Sequence, residues 1–326
     1  MLKALEQFKS ALTPQDLAWL QTYSRQAQQS PPADARPWFL GEPLQLWSGM
    51  HPGAELGTGC PTGYFKRGHA EILKSLGMPL RSLRGASCQG PVPGPVGDFT
   101  HGFCWDTPQA NEPSRSAALA LWASQLHSAG HVQSWRNELF GFWPEGATWQ
   151  GAQPPDPRVP HAFRMERACF RFFGLKSHAV HINGFRADGH MWCGRRALTK
   201  ATDPGKLDNL AAGGLPAGET VQLCGIREMA EEAGLQEGLA EQAIACGEVT
   251  TNRMEPEGWH HEALWVYNLA MPMDVLPQNQ DGEVSEFLCM SPHEVMAALR
   301  QQAFSVDAGC VIAQGVLGSD IALQSP

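Results

Sequence analysis

Residues 213 to 235 read GGLPAGETVQLCGIREMAEEAGL, and the fold is decided by this stretch. Thr220 suits the start of a helix, because its side-chain oxygen can accept a hydrogen bond from a free backbone N–H of the first turn. Gly234 can adopt the left-handed conformation that ends a helix. The stretch therefore predicts a helix over residues 221–233.

Three glutamates of this predicted helix share one side. Glu228, Glu231 and Glu232 fall within about 100° of arc, since residues three and four apart lie on the same face. The opposite side carries apolar residues that can pack against a sheet, namely Ile226, Met229, Ala230 and Ala233. We therefore expect packing to hold three carboxylates together at a cleft.

Clustered carboxylates repel one another and weaken a helix by ~0.2 to 0.5 kcal/mol per pair. Taken alone, such a cluster is most simply explained as a solvated surface. The alternative is a compensating cation, and ligands that are all oxygen favour Mg²⁺ or Mn²⁺. Such ions can neutralise a diphosphate and activate a water for attack on phosphorus. The second explanation predicts a metal-dependent hydrolase.

The loop before the helix, residues 211–218, contains three glycines. Its backbone can therefore approach a metal or a phosphate closely, and the N-terminus of the following helix favours anions. Glu219 and Arg227 are eight residues apart, a spacing that permits an ion pair across the loop and the helix. We expect Arg227 to be structural.

The whole pattern resembles the Nudix box, Gly-x5-Glu-x7-Arg-Glu-U-x-Glu-Glu-x-Gly-U, in which U is an apolar residue. Every defined position is matched, by Gly213, Glu219, Arg227, Glu228, Met229, Glu231, Glu232, Gly234 and Leu235. The resemblance implies an α/β fold, namely the Nudix α/β/α sandwich with a mixed sheet. Because all the box glutamates are present, a Nudix-like module that binds a ligand without cleaving it is the less favoured reading.

The resemblance also implies roles for individual residues. Glu228, Glu231 and Glu232 would be ligands of Mg²⁺ or Mn²⁺, and the carbonyl of Ala212 would complete the metal shell. Glu228 and Glu232 are the candidate catalytic carboxylates. Many family members take the general base from a later loop, and here the candidates are Glu283 and Glu286, of which Glu286 is the one carried forward.

Several runs outside the box resemble a narrower group, the Nudix proteins related to fungal thiamine pyrophosphokinase fusions and their plant counterparts. These runs lie at residues 135–139, 164–167, 181–184, 196–209 and 278–284. The resemblance implies that the chain converts oxidised, damaged thiamine diphosphate to the monophosphate. The alternative substrate within the same class is ADP-ribose or another nucleoside diphosphate derivative.

Four residues outside the box are candidates for substrate binding. Arg196 and Lys200 precede the box and could bind the terminal phosphates, although they could equally be solvated charges. Trp135 and Arg136 suit a wall against a flat or cationic ring, although Trp135 could instead pack in the core. The adjacent pair at residues 260–261 is rejected as a metal site, because neighbours in a strand point to opposite faces.

Composition restricts the partners and the location. The formal net charge of -9 disfavours nucleic-acid binding, which needs a basic surface. No stretch is apolar enough to span a membrane, and the first twelve residues lack the apolar core of a secretory signal. Nine scattered cysteines without a Cys-x-x-Cys pair indicate reduced thiols and a cytoplasmic location. A small-molecule diphosphate is the expected partner, and a homodimer is left open.

The organisation along the chain suggests two parts. A stretch rich in proline and glycine at residues 143–160 predicts a linker between an N-terminal α+β region, residues 1–150, and a Nudix domain, residues 165–326. Helices are predicted at residues 15–28, 117–129 and 291–302, and from about 307. Strands are predicted at residues 44–47, 178–185, 191–196, 244–250, 261–269 and 284–290.

Overall fold

The computed structural model describes residues 2–32, 34–40, 62–87, 98–105, 111–143 and 161–318. Two of the predicted features, the strand at residues 44–47 and most of the linker at residues 143–160, lie outside these ranges. Among the described helices, none combines the length and the apolar character needed to cross a bilayer. The seven cysteines in the described ranges are all free thiols.

The C-terminal half is built on a seven-stranded sheet. Its main strand order is β11-β12-β7-β8-β13, with β10 paired to β7 and β9 paired to β8. Strands β7 and β12 run parallel, whereas the other pairings are antiparallel, so the sheet is mixed. The strands are β7 (Lys176–Arg186), β8 (Met191–Arg196), β9 (Leu207–Asp208), β10 (Ala211–Gly214), β11 (Ile244–Glu255), β12 (Gly258–Met271) and β13 (Val284–Met290).

Helices cover both faces of this sheet. The box helix α6 (Val221–Ala233) packs against the face that carries Val180 and Ile182 of β7. Phe185 of the same strand points to the opposite face, because successive strand residues alternate. That face is covered by α1 (Leu2–Ser10), α2 (Pro14–Gln26), α8 (Pro292–Arg300) and α9 (Val306–Leu317). The predicted α/β/α sandwich with a mixed sheet is confirmed.

The N-terminal region forms a second layer with its own core. A four-stranded sheet of order β2-β1-β4-β3 packs with two helices around Trp38, Phe65 and Trp105, so the region is α+β as predicted. The elements are β1 (Arg36–Leu40), β2 (Gly63–Phe65), α3 (His69–Ser75), β3 (Leu80–Ser87), β4 (Asp98–Trp105), α4 (Glu112–Ser128), β5 (Leu139–Phe142), β6 (Phe163–Glu166) and α5 (Phe170–Phe173). The short α7 (Glu237–Ala240) follows the box helix.

The two parts share elements across the predicted boundary. Helices α1 and α2 come first in the chain, yet Phe8 and Leu20 are fully buried in the core of the C-terminal sandwich. Strand β5 pairs with β6 on the other side of the proposed linker. The N-terminal region is therefore attached at both ends to the sandwich, and the boundary between residues 150 and 165 stays a prediction.

Candidate active site

The box helix has the bounds and the ends that the sequence predicts. Thr220 accepts a hydrogen bond from Leu223 N at 3.1 Å, and Gly234 takes the left-handed conformation with φ 64°. Met229 and Ala233 are buried against the sheet as expected. Ala230 was expected on the same side but is exposed. The buried surface of the helix is therefore turned from the predicted one: it includes Glu228 and Glu232 and leaves out Ala230.

Two of the three glutamates on the box helix are buried. Glu228 and Glu232 are 9% and 6% exposed, whereas Glu231 lies at the surface. Burial disfavours a charged carboxylate, so it raises the pKa of Glu228 and raises the pKa of Glu232 to about 8. These two side chains are one helical turn apart. The structure therefore has two buried acids that a cation could keep ionised.

The strand before the box touches both of these acids. Ala212 N donates to Glu232 Oε2 at 2.8 Å. A Cβ at Gly213 would lie 1.9 Å from Glu228 Oε1, so only glycine fits there. Ala212 was predicted to offer its carbonyl to a metal. The hydrogen bond shows that its amide binds Glu232. The role of its carbonyl stays a prediction.

Arg227 neutralises part of the acidic helix. Its guanidinium forms the predicted pair with Glu219, with Nε to Oε1 at 3.1 Å and Nη2 to Oε2 at 3.0 Å. A further nitrogen, Nη1, donates to Glu228 Oε1 at 2.8 Å and to Glu231 Oε2 at 3.0 Å. One arginine therefore faces three carboxylates, which leaves the box with excess negative charge.

The loop after β12 adds two more acidic residues to the site. Asp281, Glu283 and Glu232 place carboxylate oxygens within 4.8 Å of one another. Burial alone would raise the pKa of Glu283, but the hydrogen bond and charge of Lys200 and the charges of Arg136 and Arg167 lower it. Asp281 was not among the predicted ligands. The sequence signal was its position in the run at residues 278–284.

Glu286, carried forward as a catalytic residue, lies elsewhere. It stands on β13 with its side chain half exposed and receives a hydrogen bond from Arg195 Nε at 2.5 Å. Glu283, the other candidate, is the one that joins Glu232. The physical reason is the strand register: Glu286 pairs within the sheet with Arg195, whereas Glu283 precedes the strand and remains in the loop.

Of the two cations predicted to bind phosphate, only Lys200 reaches the acidic group. Its ammonium lies 3.7 Å from Glu232 Oε1 and donates to Glu283 Oε2. Arg196 instead donates to Asp208 Oδ2 at 2.5 Å and to the carbonyl of Thr202. The guanidinium of Arg196 is therefore occupied in holding its own loop.

The two predicted ring-binding residues are separated by the structure. The indole of Trp135 stacks on His127 at 4.7 Å and donates to Asn137 Oδ1, so it packs within the N-terminal region. The next residue, Arg136, is exposed, and its charge acts on Glu283. Arg167 acts on Glu283 in the same way and was not among the predicted site residues, although it belongs to the run at residues 164–167.

A second group of acidic and imidazole side chains lies on the other face of the sheet. His260 Nε2 is 3.8 Å from Glu262 Oε2 and 3.6 Å from Asp307 Oδ2. Arg253 binds Asp307 through two nitrogens, at 2.7 and 3.0 Å. His261 is not part of the group, but His260 and Glu262 stand together with Asp307 where a metal ion could be held, so the rejection of residues 260–261 as a metal site stays a prediction.

Comparison with known proteins identifies the C-terminal fold. Residues 176–309 match the family model of the NUDIX domain. The chain therefore contains a NUDIX domain. The box of this domain is formed by the glycine-rich segment from Gly213 and the helix α6. The resemblance seen in the sequence is confirmed for this domain, while the narrower thiamine-related group is not shown by these matches.

Three relatives match beyond the domain. Nudix hydrolase 24, chloroplastic, of Arabidopsis thaliana is 36% identical over 214 residues, which are 65% of this chain and 54% of that protein. Nudix hydrolase 20, chloroplastic, of the same plant is 32% identical over 248 residues, 74% of this chain and 61% of that protein. An uncharacterized protein of Saccharomyces cerevisiae is 31% identical over 57% of this chain and 55% of its own length. The chain thus spans little more than half the length of these relatives.

Proposed function

We propose that the chain is a hydrolase of a diphosphate linkage and that it requires Mg²⁺ or Mn²⁺. The observation that carries this proposal is the meeting of the buried box carboxylate Glu232 with the loop carboxylates Asp281 and Glu283, while the second buried box carboxylate, Glu228, lies one helical turn from Glu232. Gly213 of the glycine-rich strand end lies directly against the carboxylate of Glu228. Catalysis of phosphoryl transfer depends mostly on positioning and on charge neutralisation, and this arrangement provides both.

The donor set fits a hard divalent cation. The candidate ligands Glu228, Glu231, Glu232, Asp281 and Glu283 offer only oxygen atoms, which Mg²⁺ and Mn²⁺ prefer. Burying a carboxylate is costly unless it is paired, and the pKa of about 8 at Glu232 shows that the protein alone does not compensate its charge. When bound, the cation would neutralise phosphate oxygens and acidify a water molecule.

The residues of the chain would divide the remaining tasks. Glu228 is better suited than Glu283 to take a proton from the attacking water at its carboxylate, because burial raises the pKa of Glu228 whereas nearby cations lower that of Glu283. Lys200 would contact the phosphate from the side of Glu283. Arg227 and Glu219 would hold the helix and the loop in register.

For the substrate we propose a damaged thiamine diphosphate in the oxo or oxy form, with the monophosphate and phosphate as products. The support is the set of sequence runs outside the box, two of which carry Arg136 and Arg167. The rival substrates are ADP-ribose and other nucleoside diphosphate derivatives. The cytoplasmic location and a homodimer also stay proposals.

The test is a panel of four diphosphates incubated with Mg²⁺, with products separated by chromatography. The panel contains oxothiamine diphosphate, oxythiamine diphosphate, intact thiamine diphosphate and ADP-ribose. Each is run with the wild type, with Glu232→Gln and with Glu241→Gln as a surface control on an exposed glutamate. We expect the oxidised thiamines to be cleaved fastest, and the activity to be lost in Glu232→Gln alone.

Other outcomes would separate the parts of the proposal. Cleavage of ADP-ribose alone, with loss in Glu232→Gln, would retain the hydrolase and remove thiamine as its substrate. Equal activity of Glu232→Gln and the wild type would contradict the assignment of the site. Binding without turnover of any diphosphate in the panel would favour a module that senses its ligand.

A further inference from the structure

The loop between α4 and β5 is held in an unfavourable backbone conformation. Ser134 and Asn137 have φ of 54° and 57°, and they flank Trp135 and Arg136. Residues other than glycine seldom adopt positive φ, and such conformations persist only where the surroundings enforce them. They are concentrated at sites of function. The strained loop therefore fixes the position of Arg136.

One buried carboxylate enforces this conformation. Glu166 is 4% exposed, and its Oε1 accepts hydrogen bonds from Arg136 N at 3.1 Å and from Ala168 N at 3.3 Å. Its Oε2 accepts from Glu138 N at 3.1 Å. These three bonds all come from backbone amides, so Glu166 ties the strained loop to the start of the turn that carries Arg167.

The same loop is docked against the box. Ala217 N donates to the carbonyl of Leu139 at 2.8 Å. Phe140 lies so close to Gly214 that a Cβ there would be 2.3 Å from the ring. Arg167 lies over the ring of Phe140, 4.9 Å from its centroid. The strained loop and Arg167 are therefore fixed relative to the glycine-rich segment that precedes the box helix.

The two guanidinium groups at this edge of the site differ in their pairing. Arg136 is exposed, and no hydrogen bond or ion pair of its guanidinium is found within the described ranges. Arg167 pairs with Glu138 at 2.5 Å and is 39% exposed. The contacts of Leu139 with Ala217 and of Phe140 with Gly214 place the strained loop and Arg167 beside the start of the box, and the charges of both arginines act on Glu283.

We propose that Arg136 and Arg167 form an arginine pair that binds the terminal phosphate of the substrate, with Glu166 as the residue that positions Arg136. This proposal rests on the proposed function. A terminal phosphate has three free oxygens and a charge near −2, as a phosphomonoester has at neutral pH, whereas an internal phosphate has two free oxygens and one charge. Guanidinium groups match such an oxygen face with paired hydrogen bonds. The arginine pair therefore selects diphosphate monoesters over dinucleotide diphosphates.

The direct test measures the binding of imidodiphosphate, a diphosphate analogue that resists hydrolysis. Its Kd is determined by calorimetry with Mg²⁺ for the wild type, Arg136→Ala and Arg167→Ala. Arg164→Ala is the matched control, because Arg164 lies on the same strand as Glu166 but pairs with Glu112 at 2.9 Å. We expect Kd to rise roughly 10- to 100-fold in the two variants, as for loss of a hydrogen bond to a charged group, and to stay unchanged in the control.

A second measurement separates positioning from folding. The ratio of kcat/KM for a terminal diphosphate to that for a dinucleotide diphosphate is compared in the wild type, Glu166→Gln and Arg136→Lys. We expect the ratio to fall about 10-fold in Glu166→Gln, mainly through KM, and less in Arg136→Lys, which retains the charge. A purely structural role of Glu166 would lower the melting temperature and leave the ratio unchanged, which would overturn its assignment.

The outcomes also distinguish this proposal from the proposed function. An unchanged Kd in Arg136→Ala and Arg167→Ala, with a wild type that cleaves diphosphates, would overturn the arginine pair and leave the hydrolase in place. If the wild type cleaves no diphosphate but binds imidodiphosphate, and Arg136→Ala and Arg167→Ala lose this binding, the hydrolase would be overturned and the arginine pair supported.

Discussion

The two groups of buried carboxylates, one on each face of the sheet, differ in how their charge is compensated. On the α9 face, Asp307 receives two hydrogen bonds from Arg253 and a third from Thr251. On the α6 face, Glu228 shares Arg227 with two other glutamates, and the partners of Glu232 among the described residues are the more distant Lys200 and one amide.

This difference in compensation distinguishes a structural carboxylate from a functional one. The pKa of Asp307 lies far below its usual range, whereas burial raises that of Glu232, and the charges of Glu228 and Asp208 raise it further against the opposing charge of Lys200. Burial opposes ionisation at both residues, and it is outweighed only where His260 and Arg253 stand close to Asp307. A carboxylate compensated within the chain holds the fold, and one left uncompensated can bind a cation.

The largest expected effect is on catalysis at the uncompensated group. Glu228→Gln should lower kcat by roughly 10³-fold or about 4 kcal/mol in the barrier, because it removes a metal ligand and the candidate base. Its free energy of unfolding should stay within about 1 kcal/mol of the wild type, since loss of the Arg227 contact is offset by removal of a buried charge. Rates and urea unfolding are measured on the same preparation. If Glu228→Gln instead lost much stability and kept a normal kcat, Glu228 would be a structural carboxylate and not a functional one.

The opposite pattern is expected at the compensated group. Asp307→Asn should reduce the free energy of unfolding by about 1.5 to 3 kcal/mol, because it removes the charge-assisted hydrogen bonds from Arg253 to Asp307 and leaves Arg253 with Glu255 as its remaining carboxylate partner. The folded fraction should keep its kcat. The control is Asp188→Asn, since Asp188 pairs with Arg186 at 2.9 Å near the surface, and it should cost no more than about 1 kcal/mol. Equal losses in the two variants would show that burial of the pair has no effect.

The sequence was enough to predict the box and its domain. The bounds of α6, its cap at Thr220 and the pair of Glu219 with Arg227 all follow from local spacing, so no tertiary information was needed. Strand β13 also has the predicted bounds. Patterns of this kind depend on the helical and strand periods, which the sequence displays directly.

The rest of the site depends on contacts between distant parts of the chain. The choice between Glu283 and Glu286 is made by strand register with β8, about 90 residues earlier. The place of Arg167 depends on Phe140 and on the docking of that ring against Gly214. Helix α1 was not predicted, because its apolar residues gain their meaning only from the sheet face that they cover.

Metal binding at the acidic group on the α6 face should depend on pH. With a pKa of about 8, Glu232 is protonated in the metal-free fold at neutral pH and must lose its proton to bind a cation. The apparent Mg²⁺ affinity should therefore rise about 10-fold per pH unit from pH 6 to pH 8 and then level off. Calorimetry in buffers of different ionisation enthalpy would detect the released proton. A pH-independent affinity would contradict the raised pKa.

Folding stability should carry the matching signature. The folded pKa of Glu232 is raised above its value in the unfolded chain, so its contribution to stability is complete below pH 4.5 and is lost as the pH rises towards 8. Urea unfolding in EDTA should therefore show the wild type losing stability between pH 5 and pH 8. Glu232→Gln should lack this part of the pH dependence.

We expect the weakest of these effects from replacing Lys200, which lies between the carboxylates of Glu232 and Glu283. The ammonium of Lys200 donates to Glu283 and lies 3.7 Å from Glu232, so it competes with a metal ion for the same carboxylates. Lys200→Met should therefore tighten Mg²⁺ binding by about 10-fold, by removal of a like charge at short range. Lys206→Met is the control, since Lys206 pairs with Asp203 at 3.0 Å outside the acidic group. Weaker Mg²⁺ binding in Lys200→Met would mean that the lysine orders the carboxylates for the metal, and the α6 face would then be partly compensated within the chain, as the α9 face is.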